Sequence, residues 1–240
     1  MKLLAIETST MLGGIAVMED DTLIAESRMN VKATHSERIM ADIDNALKRS
    51  GFTIDDIDVF GIASGPGSFT GLRVGLSTLK GLSYATGKKV VSVSTLEAFA
   101  WNVPFSPHLI CPLLDARKKE VHAGVYEWSE DGFTRAIEEQ TVKLDTLLAA
   151  IGKSAVFLGE GALLYKDHIQ ASLGGKALFA APQHMVPSPA NVAYLCMRKA
   201  RNNMFDDPEQ LVPRYMRKSE AEIKLDANRV GRLDDRKFQK

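Results

Sequence analysis

The chain has 240 residues, with 30 Lys+Arg against 30 Asp+Glu, 45% apolar residues and two cysteines. A net charge of zero argues against a protein that grips nucleic acid alone, because such binding rests on basic charge. Cys111 and Cys196 are too few for a disulfide framework or a cysteine-based zinc site, and no apolar run reaches the roughly 20 residues of a membrane span.

The first run, Lys2 to Ile6, is short and apolar and meets Glu7 at once, so it reads as a core strand and not a signal peptide. A soluble, cytoplasmic protein is expected. Gly13–Met18 and Thr22–Met29 read as two strands of a hairpin joined through Glu19-Asp20-Asp21. Ser36–Ser50 places Ile39, Met40, Ile43 and Leu47 at helical spacing, with Gly51 as a C-cap. Val59–Ala63 is a buried strand that ends in a glycine-rich segment. Leu72, Leu76, Leu79 and Leu82 mark a second helix over Thr70–Ala85. Lys89–Val93 is a strand, and Ser94-Thr95 caps a third helix to about Asn102. After Pro104 and Pro107 the order starts again. Strands are predicted at Leu109–Leu114, Val121–Trp128 and Thr134–Val142, then a helix near Leu144–Ile151 and a strand at Ala155–Leu158. A helix after Gly161, a strand at Ala177–Ala180 and a helix from Ser188-Pro189 to about Arg201 complete the pattern. Both halves therefore read β-β-β-α-β-α-β-α, a duplicated element order with little identity.

Three features bear on chemistry. The segment Gly65-Pro66-Gly67-Ser68-Phe69-Thr70-Gly71-Leu72-Arg73 joins a strand to a helix. It is neither a Walker A loop nor a G-x-G-x-x-G fingerprint, and two uses fit it: anion binding at a helix start, or tight turning and close helix packing through Gly71 and Gly75. Glu7-Thr8-Ser9-Thr10 sets an acid and three hydroxyls in a turn, which suits either a phosphate with Mg²⁺ or a plain polar hairpin. His35, His108, His122, His168 and His184 lack the spacing of a two-histidine metal face, and no serine has an identifiable base.

Two such units in tandem resemble the actin-like ATPase fold of sugar kinases and Hsp70-type chaperones, an α/β architecture also described as ribonuclease H-like. The resemblance goes further in Leu4-Ala5-Ile6-Glu7-Thr8-Ser9-Thr10, Thr34-His35-Ser36-Glu37, the glycine-rich segment through Gly75, Lys80-Gly81-Leu82 and Val93-Ser94-Thr95-Leu96-Glu97-Ala98. These closely resemble the TsaB (YeaZ) family. The likeness is strong over residues 1–105 and looser through Leu113–Val121 and Pro213-Arg214-Tyr215-Met216-Arg217. It implies an N-terminal lobe at 1–105, a smaller lobe at 106–217 and a mobile tail at 218–240, with the helix at 189–201 free to return to the first lobe.

The resemblance also implies a role in making threonylcarbamoyladenosine next to the anticodon of tRNAs that read codons beginning with A. Family members pair with their catalytic paralogue TsaD, joined by the small ATPase TsaE. Thr95 and Phe99 stand where TsaD carries two metal-binding histidines, and a hydroxyl and a phenyl ring cannot replace two imidazoles on a metal. The expectation is therefore a non-catalytic, metal-free subunit with no tightly bound cofactor, and with the complex interface as a place for ATP or ADP with Mg²⁺. Glu7, Thr8, Ser9 and Thr10 are the candidate nucleotide contacts in this chain. His35, Ser36, Ile39, Met40, Ile43, Gly71, Leu72, Arg73, Gly75, Leu76 and Leu79 are the expected partner face. A homodimer is expected in isolation, and tRNA contact only through the complex. A free-standing ATP-dependent kinase of the same fold is the second reading.

Overall fold

A computed structural model describes residues 1–29, 35–130 and 132–216. The expected mobile tail at 218–240 and Thr34 of the second motif lie outside them. The first half contains β1 (Lys2–Glu7), β2 (Gly13–Glu19), β3 (Thr22–Met29), α1 (His35–Ser50), β4 (Val59–Ala63), α2 (Phe69–Thr86), β5 (Lys89–Val93) and α3 (Thr95–Ala100). The second contains β6 (Leu109–Asp115), β7 (Glu120–Ser129), β8 (Gly132–Lys143), α4 (Leu144–Ala150), β9 (Ala155–Leu158), α5 (Glu160–Leu164), α6 (Lys166–Leu173), β10 (Ala177–Phe179) and α7 (Pro189–Arg201). The helix expected after Gly161 is two helices, because the chain turns at Tyr165, whose N–H bonds back to the Gly161 carbonyl.

The two sheets have the same plan. One runs β3-β2-β1-β4-β5 and the other β8-β7-β6-β9-β10. In each, the first three strands form an antiparallel meander and the last two add in parallel. Strand β1 is buried on both faces, which is why its sequence is a continuous apolar run and not an alternation. Leu4 and Ile6 face α1 and α2 with Ile39, Ile43, Leu76 and Leu79, while Leu3 and Ala5 face α7 with Val192, Cys196 and Met197. Strand β8 is a sheet edge and is mostly exposed or half-buried, with Glu139 buried.

The last helix of each half packs on the sheet of the other. Helix α3 follows β5 but lies on β6 and β7, whereas α7 follows β10 and lies on β1, β2, β4 and β5. Leu96, Phe99 and Ala100 of α3 thus share one apolar cluster with Ile110, Leu114, Tyr126 and Leu158 of the second sheet. Neither half can bury its own faces without the other. Phe99 is 1% exposed at the centre of this junction, so Phe99→Ala is expected to cost about 3–5 kcal/mol. Denaturant unfolding checks this. A loss within error of zero would mean that the junction is not a packed core.

Candidate functional site

The carboxyl ends of β1, β4 and β5 converge, and this is the end of an open α/β sheet at which ligands usually bind. Here the space is filled by the chain itself. Glu7, Thr8, Ser9 and Thr10 are all buried, at 0%, 2%, 1% and 8% exposure. The Thr8 hydroxyl donates to the Gly71 carbonyl at 2.8 Å, and the Ser68 N–H donates to the Ser9 carbonyl at 2.6 Å. The glycine-rich segment therefore lies directly on the β1–β2 turn. Two of its glycines are required for that approach. A Cβ at Gly67 would stand 2.2 Å from the Ser9 carbonyl oxygen, and one at Gly75 would stand 2.2 Å from the Thr8 hydroxyl oxygen. Ser68 caps α2 with its own side chain, taking the Gly71 N–H at 3.3 Å. Close packing is the use this structure makes of the segment. Beside the turn there is a cavity of only about 10 Å³, flanked by Thr8, Gly14 and Asp42, too small for a nucleotide.

Glu7 is the chemically notable group of the turn. Its Oε1 accepts the Ser9 N–H at 2.6 Å, whereas its Oε2 and the Ser9 hydroxyl are buried without a hydrogen-bond partner among the described residues. Burial pushes the carboxyl up to about 7, against the Ser9 bonds, which pull it down.

The corresponding turn of the second half, between β6 and β7, is built differently. Arg117, Lys118 and Lys119 all adopt left-handed backbone conformations, at φ of 63°, 54° and 62°, where glycine would be relaxed. Asp115 accepts from the Arg117 N–H at 2.9 Å and from the Tyr165 hydroxyl at 3.1 Å. Three long exposed side chains thus occupy the position of a phosphate-gripping turn.

The expected partner face is divided by the structure. Ile39, Ile43, Leu72, Leu76 and Leu79 are at most 5% exposed and belong to the core of the first half, so they are not a free surface. Gly71 and Gly75 also face inward, and what approaches them is Thr8, not a second helix. Ser36, Met40 and Arg73 are exposed; Met40 is 56% exposed, and Tyr84, which the sequence did not single out, is 94% exposed. The first turn of α1 carries His35, whose side chain lies outside the described residues.

Arg73 has an internal partner. Its Nε donates to the Tyr215 hydroxyl at 2.7 Å, and the Tyr215 ring stacks on Phe69 at 4.3 Å between centroids. Residues 213–216 form a strap across both halves. The Arg214 N–H donates to the Ser64 carbonyl at 2.8 Å, its guanidinium pairs with buried Glu139, and the Met216 carbonyl accepts from the Thr141 hydroxyl at 3.2 Å. Sequence reasoning quoted this segment but had no signal for where it docks.

Thr95 and Phe99 are 0% and 1% exposed. The Thr95 hydroxyl has no hydrogen-bond partner among the described residues, and the Phe99 ring belongs to the junction between the halves. Among the described residues, no group of three His, Cys, Asp or Glu side chains is placed to hold a metal ion.

Residues 26–225 match the family model described as TsaD, tRNA N6-adenosine threonylcarbamoyltransferase. The chain is 33% identical to the tRNA threonylcarbamoyladenosine biosynthesis protein TsaB of Bacillus subtilis, over 93% of this chain and 97% of that one. It is 38% identical to the tRNA N6-adenosine threonylcarbamoyltransferase of Kosmotoga olearia, but over only 40% of this chain and 34% of the transferase. The solved structure of YeaZ from Pseudomonas aeruginosa superposes with a TM-score of 0.76 at 22% identity, over 89% of this chain and all of that one. The fold is thus that of YeaZ, and the full-length likeness is to TsaB.

Glu7 makes stability depend on pH in a definite direction. Its folded value lies above the ordinary 4.5, so between 4.5 and about 7 the folded state holds more proton than the unfolded state. This group's contribution is then fully present below pH 4.5 and is lost as the pH rises through 7, by about 3 kcal/mol in all. Glu7→Gln is expected to remove that decline and to raise stability above pH 7. Denaturant midpoints measured at pH 5 and pH 8 check it (~3 pH units apart). An unchanged decline in the variant would contradict the assignment.

Proposed function

The chain belongs to the TsaB family, and from that premise we propose that it is a non-catalytic accessory subunit that binds and activates the TsaD threonylcarbamoyltransferase during threonylcarbamoyladenosine formation on tRNA. The observation that carries this reading is the full-length likeness to TsaB in a chain whose Thr95 and Phe99 are buried and supply no metal donor pair. The sealed β1–β2 turn supports it, since Glu7–Thr10 are packed under Gly67–Gly75 and not open to a nucleotide. The β6–β7 turn speaks against a free-standing kinase, because it carries Arg117-Lys118-Lys119 where a phosphate grip needs small residues.

In this reading TsaE joins the pair, tRNA is met only through the complex, and any ATP or ADP with Mg²⁺ sits at the complex interface. Among the described residues no helix is long and apolar enough to cross a membrane, which is compatible with work on tRNA in the cytoplasm. Pairing with TsaD, and with a second copy when TsaD is missing, uses the outer face of α1 and α2. Of the expected residues there, Met40 and Arg73 reach solvent, and Tyr84 adds a large exposed ring.

Two experiments test this. In a reconstituted assay with TsaD, TsaE, a threonylcarbamoyl-AMP source and unmodified tRNA, product should require this chain, and this chain without TsaD should yield none. Product in its absence, or product from it alone, would overturn the reading. Met40→Asp should weaken association about tenfold or more in sedimentation while leaving thermal unfolding unchanged, because the side chain is already in water. Unchanged association with both TsaD and itself would remove this helix face from the interface.

A further inference from the structure

A second cavity lies away from the β1–β2 turn. It measures about 510 Å³ and lies between β5, α3 and α7 on one side and β8 on the other, open to solvent. Four cations line it: Arg135, Arg198, Lys199 and Arg214. Two of them are committed. Arg135 meets Glu97 at 3.0 Å, and Arg214 pairs with Glu139. The other two, adjacent in the last turn of α7, make no ion pair among the described residues. Lys199 Nζ donates to the Ser92 carbonyl at 2.8 Å, and the Arg198 guanidinium lies 5.8 Å from the centroid of Trp101. Basic side chains commonly end helices because they complement the dipole. Arg201 does so in an ion pair with Asp21 at 2.6 Å on the surface, whereas Arg198 and Lys199 line the cavity.

A hydroxyl of the cavity adds to the same imbalance. The Ser94 oxygen accepts the Leu96 and Glu97 N–H groups at 3.2 and 3.4 Å, which leaves its proton to donate. Ser92 meets the cavity through its backbone: its carbonyl accepts from Lys199, and its N–H is taken by Asp206, which does not line the cavity. Guanidinium, ammonium and the Ser94 hydroxyl thus face one space as donors, and the lining carboxylate, Glu97, is already held by Arg135. An occupant must bring acceptor oxygens and negative charge. A phosphate monoester brings three acceptor oxygens and a charge of about −1.5 to −2 near neutral pH. The volume also lies in the roughly 300–1,000 Å³ range of small-molecule sites and is too large for bare phosphate.

We propose that this cavity is a binding site for a small phosphate ester, the phosphate seated by Arg198 and Lys199 with the hydroxyl of Ser94. Its organic part lies towards Phe133 and Trp101, and because Arg135 comes from the second sheet, the ligand touches both halves of the chain. The site does not depend on the accessory role, since it lies away from the outer face of α1 and α2.

Calorimetric titration of the full chain alone with AMP and with glycerol 3-phosphate tests the proposal. Saturable binding of at least one is expected, with adenosine and succinate binding at least about tenfold more weakly. The double variant Arg198→Gln, Lys199→Gln should lose about tenfold or more, and Lys48→Gln, on α1, should lose nothing. The single variant Arg198→Gln, which removes one cation, should weaken binding several-fold and serves if the double variant does not fold. No saturation with either ester, equal binding of adenosine or succinate, or undiminished binding by folded variants would overturn the site. No partner protein or tRNA enters the measurement, so its failure leaves the pairing test untouched.

Discussion

The structure depends on the docking of one loop onto one turn. Residues 67–75 lie on Glu7–Thr10 closely enough that a single added carbon at Gly67 or Gly75 would collide with Ser9 or Thr8. That approach sets the position of α2 over β1 and β4, and with it the apolar layer shared with α1. It also buries a carboxyl that has, among the described residues, a partner for only one of its oxygens. A turn of this composition on an open sheet is usually left accessible to ligand. Here the Thr8 and Thr10 hydroxyls are spent on the chain's own backbone.

The second constraint is the exchange of helices between the halves. With α3 on the second sheet and α7 on the first, the two sheets are held by buried apolar surface and not by a hinge alone. Phe99 sits in that surface, at a position where the resemblance to TsaD would place a metal ligand. Residues 213–216 then tie the two halves from outside through Arg214, Tyr215 and Met216. Two halves packed and tied in this way agree with the accessory role proposed above. The space left between the halves is displaced to the edge strands β5 and β8, where its chemistry is cationic.

Much of the fold was legible in the residues. Val59–Ala63, Lys89–Val93 and Ala155–Leu158 are strands with the predicted bounds, because buried parallel strands leave short apolar runs between strong punctuation. The repeated element order foretold two sheets of one plan. The turn at Glu7–Thr10 and the glycine-rich segment were both singled out, but not their contact, since nothing local in either says that Ser68 will bond Ser9 across β4. Periodicity placed Ile39, Ile43, Leu76 and Leu79 on one face of each helix, yet it could not tell a core face from a partner face. Burial assigns all four to the core. The strap and the cavity come from residues far apart in sequence, with Arg73 meeting Tyr215 and Ser92 meeting Lys199, and no spacing rule reaches them.

The central claim is that the β1–β2 turn is a sealed packing element in this chain. Native-state hydrogen exchange tests it most directly. The N–H groups of Ser9 and Ser68, bonded to the Glu7 carboxylate and the Ser9 carbonyl, should exchange only as slowly as the amides of Leu4 and Ile6 in β1. Exchange of Ser9 and Ser68 through a local opening, orders of magnitude faster than that of β1, would contradict the account and mark the turn as a loop that opens for a ligand.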